Sequence, residues 1–143
     1  MPSILHDFIV HSPPDRVYAA FVTSEGLDAW WTRLSAGSPR VGNAYAFYFG
    51  VGYDWRGRVL RAEPGKLIEW EMTVAEGDWV GTRVGAELTR VAGSTRVRFW
   101  HSGWAEENDH YRTSSYCWAM YLRLLKRWAE IGDVVPYERR LEA

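Results

Sequence analysis

Cysteine is almost absent from this sequence: Cys117 stands alone among 143 residues. No intrachain disulfide and no cysteine-based zinc site can form, and a lone thiol suits a reducing compartment. Charge of one sign is missing too. The 17 Lys and Arg against 18 Asp and Glu leave a net charge of −1. That balance removes the electrostatic case for nucleic acid or an anionic membrane as a partner. No apolar run approaches the ~20 residues of a membrane span. The opening MPSILHDFIVHSPPD also lacks the basic flank and apolar core of a secretory signal. These absences predict a cytoplasmic protein. Repeats, low-complexity tracts and long linkers are likewise missing, so residues 1–143 read as a single domain.

Aromatic rings, by contrast, are abundant, with 9 Trp, 8 Tyr and 5 Phe. A domain of this size rarely needs so many large rings only to fill its core, and an aromatic-rich core is the plain alternative. Rings also wall ligand cavities, where they supply apolar area and a few polar tips at low entropic cost.

The patterning changes twice along the chain. Residues 4–11 (ILHDFIVH) read as a strand, and SPPD follows. Ser12 is placed to cap a helix, Pro13 suits its first position, and Asp15 completes a capping-box-like pattern. The helix PDRVYAAFV turns Val17, Ala20 and Phe21 to one face. Thr23 or Ser24 then caps a second short helix, SEGLDAWW, which buries Leu27 and one of Trp30 and Trp31. After the turn-rich LSAGSPRVGN come five stretches of period-two alternation separated by GVG, EPGK, AEGD and AGS. Short connections of this kind favour an antiparallel meander. From Asn108 to Ile131 the period becomes helical, with Tyr111, Ser115, Trp118, Leu122, Leu125 and Ala129 on one face and Gly132 as the stop. The tail VVPYERRLEA reads as a short added segment or as disorder.

The order is strand, two short helices, five strands and a long helix. The stretches IVHSPPDRVYAAFVTSEGLDAWW (9–31), GRVLRAEPGKLIEWEM (57–72), STRVRFWHSGW (94–104) and YCWAMYLRLLKRWAEIG (116–132) carry a likeness. They resemble the START/Bet v 1-like (SRPBCC) superfamily and, within it, the activator of heat-shock protein 90 ATPase homologue-like family. The resemblance implies an α+β helix-grip fold, in which a curved antiparallel sheet of about six strands wraps a long C-terminal helix. It also implies a cavity between sheet and helix for a small apolar or aromatic molecule. It does not specify a reaction, because the superfamily hosts binders, cyclases and co-chaperone domains.

The segment FWHSGWAEENDHY (99–111) concentrates the chemistry-bearing residues. His101 follows Val97 and Phe99 on the inward face of its strand. It reads as a weak general-base candidate or, with better odds, as a histidine hydrogen-bonded at the cavity rim. A metal centre would need His101, Asp109 and His110 to converge. Asp109 and His110 are adjacent at a helix start and point apart, so no metal and no cofactor is expected. Glu106, Glu107 and Asp109 complement the dipole at a helix N-terminus, and Asn108 or Asp109 is its N-cap.

Glu69 and Glu71 fall on the outer strand face opposite Ile68, Trp70 and Met72, and read as solvated beside outward arginines such as Arg83, Arg96 and Arg98. Trp100, also outward, is a candidate partner or dimer contact. Gly50, Gly52 and Gly57 lack the strand–turn–helix context of a phosphate loop. Ser114 and Ser115 read as small residues that let the helix approach the sheet. The ligand-lining residues expected are Trp30, Phe47, Phe49, Trp55, Trp70, Phe99, His101, Tyr111, Trp118 and Tyr121. The leading function is a small-molecule binding protein. The alternatives are a cyclase- or hydrolase-like cavity enzyme using His101 and a co-chaperone-like interaction module. A homodimer or a chaperone is the protein partner to consider.

Overall fold

The computed structural model describes all 143 residues. Seven strands form one antiparallel sheet: β1 (Ile4–Val10), β2 (Leu34–Ala36), β3 (Ala44–Tyr48), β4 (Asp54–Glu63), β5 (Leu67–Val74), β6 (Arg83–Val91) and β7 (Ser94–Ser102). Their spatial order is β1-β7-β6-β5-β4-β3-β2. Neighbours in sequence pair as hairpins, except that β1 closes against β7, with Ile4 opposite His101 and Val10 opposite Thr95. The strand beyond the six expected is β2, inside the turn-rich segment after Trp31. At 3 residues it is too short to show alternation, and pairing with β3 defines it.

Three helices complete the fold: α1 (Pro14–Val22), α2 (Ser24–Trp30) and α3 (Asp109–Ile131). Pro14 opens α1, and no side chain caps it. Ser12, expected as that cap, instead offers its carbonyl to Thr95 Oγ1 at 2.8 Å, which ties the helix entry to β7. Thr23 Oγ1 caps α2 by accepting from Gly26 N at 3.0 Å. Both Trp30 and Trp31 are buried, not one of them. Asn108 Oδ1 caps α3 by accepting from Tyr111 N at 2.9 Å, and Gly132 stops it in the left-handed region at φ 72°. With 23 residues, α3 runs ~35 Å across the sheet at 1.5 Å per residue.

The core lies between the inner sheet face and the helices. Tyr45, Phe47, Ile68, Trp70, Val84, Ala86, Val97 and Phe99 meet Leu27, Trp30, Trp118, Leu122 and Leu125 there, all buried. Period-two alternation therefore reports burial along β3 and β7. It breaks in β4, where the register with β5 slips between Val59 and Arg61, leaving Leu60 half-buried.

The outer face carries the expected ion pairs, Arg96 with Asp7 at 2.6 Å and Arg58 with Glu71 at 3.0 Å. Glu69 departs from expectation: it is 6% exposed rather than solvated. Trp100 covers it, donating Nε1–H to Glu69 Oε2 at 2.8 Å, while Arg61 Nε donates to Oε1 at 3.0 Å. Trp100 is thus half-buried and hydrogen-bonded within the sheet. Its indole lies against Gly85, the residue whose missing side chain makes the room.

The tail is ordered as a 3-10 turn, Tyr137–Glu142. Arg140 anchors it, 2% exposed, donating to the carbonyls of Thr32 and Val135 at 3.0 Å and to that of Asp28.

A Cβ at position 85 would lie 2.6 Å from the Trp100 ring and 2.8 Å from the Ile68 carbonyl. Gly85→Ala is therefore expected to cost about 1–3 kcal/mol by overpacking. Urea unfolding reads it, and an unchanged midpoint would contradict the packing.

Candidate functional site

A cavity of about 350 Å³ opens between the first half of α3, the β3–β4 hairpin and the turn Gly77–Trp79. On α3 the spacing Thr113, Cys117, Tyr121 places three residues on one stripe, with Ser114 and Trp118 beside it. Phe49 and Trp55 flank the hairpin tip, where Phe49 N donates to Tyr53 O at 2.9 Å. Trp31 enters from the end of α2, and Tyr53 and Tyr137 stand in the outer wall.

Five rings form a closed circuit of contacts in the wall of this space. Trp31 meets Phe49 at 5.3 Å, Phe49 meets Trp55 at 5.1 Å, and Trp55 meets Trp79 at 4.9 Å between centroids. Trp79 meets Trp118 at 5.7 Å, and Trp118 returns to Trp31 at 5.1 Å. Tilted contacts at these distances are favourable ring geometries, so the wall holds its own shape.

Behind the wall sits His101, which is fully buried. Trp118 Nε1–H donates to His101 Nδ1 at 3.1 Å. An accepting Nδ1 leaves the ring proton on Nε2, which faces Thr82 Oγ1 at 2.8 Å. The Thr82 hydroxyl then donates to the Trp79 carbonyl. Trp79 Nε1 in turn donates to Ser114 Oγ at 3.2 Å. The relay requires a neutral imidazole, since a second ring proton would confront the Trp118 N–H. Burial, aided by the nearby His110, accordingly pushes His101 down to about 3. His101 reaches the cavity only through the two indoles it orients.

Of the other residues expected at a ligand site, Phe49, Trp55, Trp118 and Tyr121 border this cavity. Trp30, Phe47, Trp70 and Phe99 are buried in the core. Tyr111 is half-buried outside the cavity, donating its hydroxyl to Ser3 O at 2.7 Å. The cavity draws on residues not anticipated: Trp31, Trp79, Tyr53, Tyr137, Glu76, His110, Thr113 and Cys117. Counting back by fours from Tyr121 would have found Cys117 and Thr113. Glu76 lies in the turn-rich AEGD segment and Trp79 directly follows it, where there is no period to read.

At the mouth, His110 Nδ1 lies 3.0 Å from Asp78 Oδ2 and Nε2 lies 3.6 Å from Glu76 Oε2. The imidazole thus links the first turn of α3 to the Gly77–Trp79 turn. No three His, Cys, Asp or Glu side chains come together here as a metal-ligand set. Burial raises the Cys117 thiol and pushes Tyr121 up to about 12, so both keep their protons at neutral pH.

A family model described as Activator of Hsp90 ATPase homolog 1-like protein matches residues 11–130. The solution structure of the Aha1 dimer from Colwellia psychrerythraea is similar at 33% identity, covering 92% of this chain and 98% of that one, with a TM-score of 0.83. SSP2350 from Staphylococcus saprophyticus shares the fold at 18% identity, with 94% and 96% covered and a TM-score of 0.78. CalU16 from Micromonospora echinospora shares it at 23% identity, with 98% and 84% covered and a TM-score of 0.76. No curated protein matches the chain.

The His101 relay makes stability depend on pH. The folded value near 3 lies below the ordinary 6.5, so the unfolded chain binds the proton more readily. This contribution is complete above about pH 6.5 and is lost as pH falls toward 3, at up to about 1.4 kcal/mol per pH unit. Urea midpoints between pH 7 and 5 are expected to fall, and the fall is expected to be smaller in His101→Asn. Equal slopes in the two proteins would contradict the buried neutral imidazole.

Proposed function

Because the chain belongs to the Activator of Hsp90 ATPase homolog 1-like family, we propose that it is a small-molecule-binding protein holding an apolar or aromatic ligand between sheet and long helix. The aromatic circuit in the cavity wall carries this reading. Its volume of about 350 Å³ lies within the ~300–1,000 Å³ of ligand sites. Its walls are mainly rings, with Ser114, Thr113, Tyr121 and Tyr137 supplying polar tips. An enzyme using His101 as its acid–base group is less well supported, because that imidazole is buried behind Trp118 and committed to the relay. A co-chaperone-like role draws support from the family match alone.

The relative from Colwellia psychrerythraea is described as a dimer, which supports homodimerisation of this chain as well. Light scattering tests it, and a monomeric mass at tens of micromolar would count against it. A cytoplasmic location fits the lone thiol, and no helix is long and apolar enough to cross a membrane.

Native mass spectrometry of the protein purified from its host is expected to show a retained small molecule. Thr113 is exposed on the cavity wall, so Thr113→Trp is expected to fill the space, abolish retention and leave the melting temperature nearly unchanged. Cys117, the only thiol, reports occupancy independently, because a bound ligand is expected to slow its reaction with a maleimide severalfold. Absence of a retained molecule together with ligand-independent labelling would overturn the binding reading.

A further inference from the structure

We propose that the cavity selects an organic cation, an ammonium group carried on an apolar or aromatic body. The inference rests on the small-molecule reading of the same site and adds the ligand's charge. The ring circuit is its first support. Neighbouring planes in it are inclined by 65°, 66°, 51°, 23° and 39° on going round from Trp31. Rings so inclined do not stack as one slab; Phe49 and Trp55 are half-buried at the cavity, and Trp31, Trp79 and Trp118, buried, back them. Aromatic faces carry the negative part of the ring quadrupole, and they attract a weakly hydrated cation within ~6 Å of a centroid. Each added ring strengthens that attraction.

The second support is the distribution of charge. No Lys or Arg lines the cavity, and its one carboxylate is Glu76. Glu76 stands at the mouth with a side chain 53% exposed, and Asp78 stands close by. His110 lies between them and, when protonated, still leaves one negative charge in excess. The nearest guanidinium groups, Arg33 and Arg140, sit over the Tyr137 ring at 4.4 and 5.3 Å from its centroid. Arg33 is paired with Glu138 at 3.1 Å; Arg140 is turned away to three backbone carbonyls, which satisfy its N–H groups and leave its charge behind the Tyr137 ring. An anionic ligand would find no cationic donor on the lining and a carboxylate at the entrance. A cation finds the reverse, and its ammonium settles at the Glu76 end among the rings.

Three soluble probes of one shape class separate the outcomes: benzyltrimethylammonium, the neutral neopentyl alcohol derivative of benzene (2,2-dimethyl-1-phenylpropanol) and 4-tert-butylbenzoate. Binding is read by tryptophan fluorescence and by protection of Cys117 from a maleimide. The cation is expected to bind about tenfold more tightly than the neutral probe, and the benzoate most weakly. Glu76→Gln is expected to narrow the cation-to-neutral ratio at least ~3-fold, because the mouth loses its carboxylate. Glu87→Gln makes the same change of net charge on the exposed outer strand face and is expected to leave the ratio unaltered. Equal affinity for cation and neutral probe, or a preference for the benzoate, overturns the cation inference while the binding reading stands. An unaltered ratio in Glu76→Gln overturns it as well. Failure of all three probes at millimolar concentration, with no protection of Cys117, overturns both.

Discussion

One hydrogen-bonded chain underlies the site: Trp118 to His101, His101 to Thr82, and Thr82 to the backbone of Trp79. It joins the long helix, the last strand and the turn before β6, three elements far apart in sequence. Each donor in it meets one acceptor, so a polar group buried at 0% exposure costs little. The chain also determines where two indoles stand, and those indoles are the back of the cavity. A helix held only by apolar contact could slide or rotate by small amounts. Directional bonds remove that freedom.

The large number of tryptophans follows from a division of labour. Trp30, Trp70 and Trp104 fill the core. Trp31, Trp55, Trp79 and Trp118 wall the cavity. Trp100 shields Glu69 on the outer face, and Trp128 lies under the Arg16 guanidinium at 3.7 Å. Wide, rigid rings span from core to cavity, with His101 and Phe99 packed behind them. They also lose little rotamer freedom on being fixed. An open space beside a packed core is otherwise hard to keep, because flexible side chains collapse into it.

The same economy appears at the entrance. His110 on α3 is bracketed by Asp78 and Glu76, and the turn that carries those acids also carries Trp79. The far wall depends on the ordered tail, whose Arg140 reaches carbonyls at the end of α2 and so brings Tyr137 to the cavity. Both loops are therefore positioned by polar contacts with helices, while the rings between them supply the apolar surface.

Fold class, the order of every element but the short β2, the two helix N-termini to within one residue of the caps Thr23 and Asn108, and the stop at Gly132 were legible in the sequence, because each depends on neighbours within a turn or on a simple period. The inward face of β7 was legible for the same reason, and it pointed to His101. What His101 does was not legible, since its partners Thr82 and Trp118 lie 19 and 17 residues away. Alternation could not separate Phe47 or Trp70, buried in the core, from Phe49 or Trp55 at the cavity, because both pairs face inward. Nor could it anticipate that Glu69 is covered, which depends on Trp100 in β7 reaching over Gly85 in β6 to Glu69 in β5. Periodicity encodes which side of an element is apolar. Only the packing of elements decides whether that side meets another side chain or an open space.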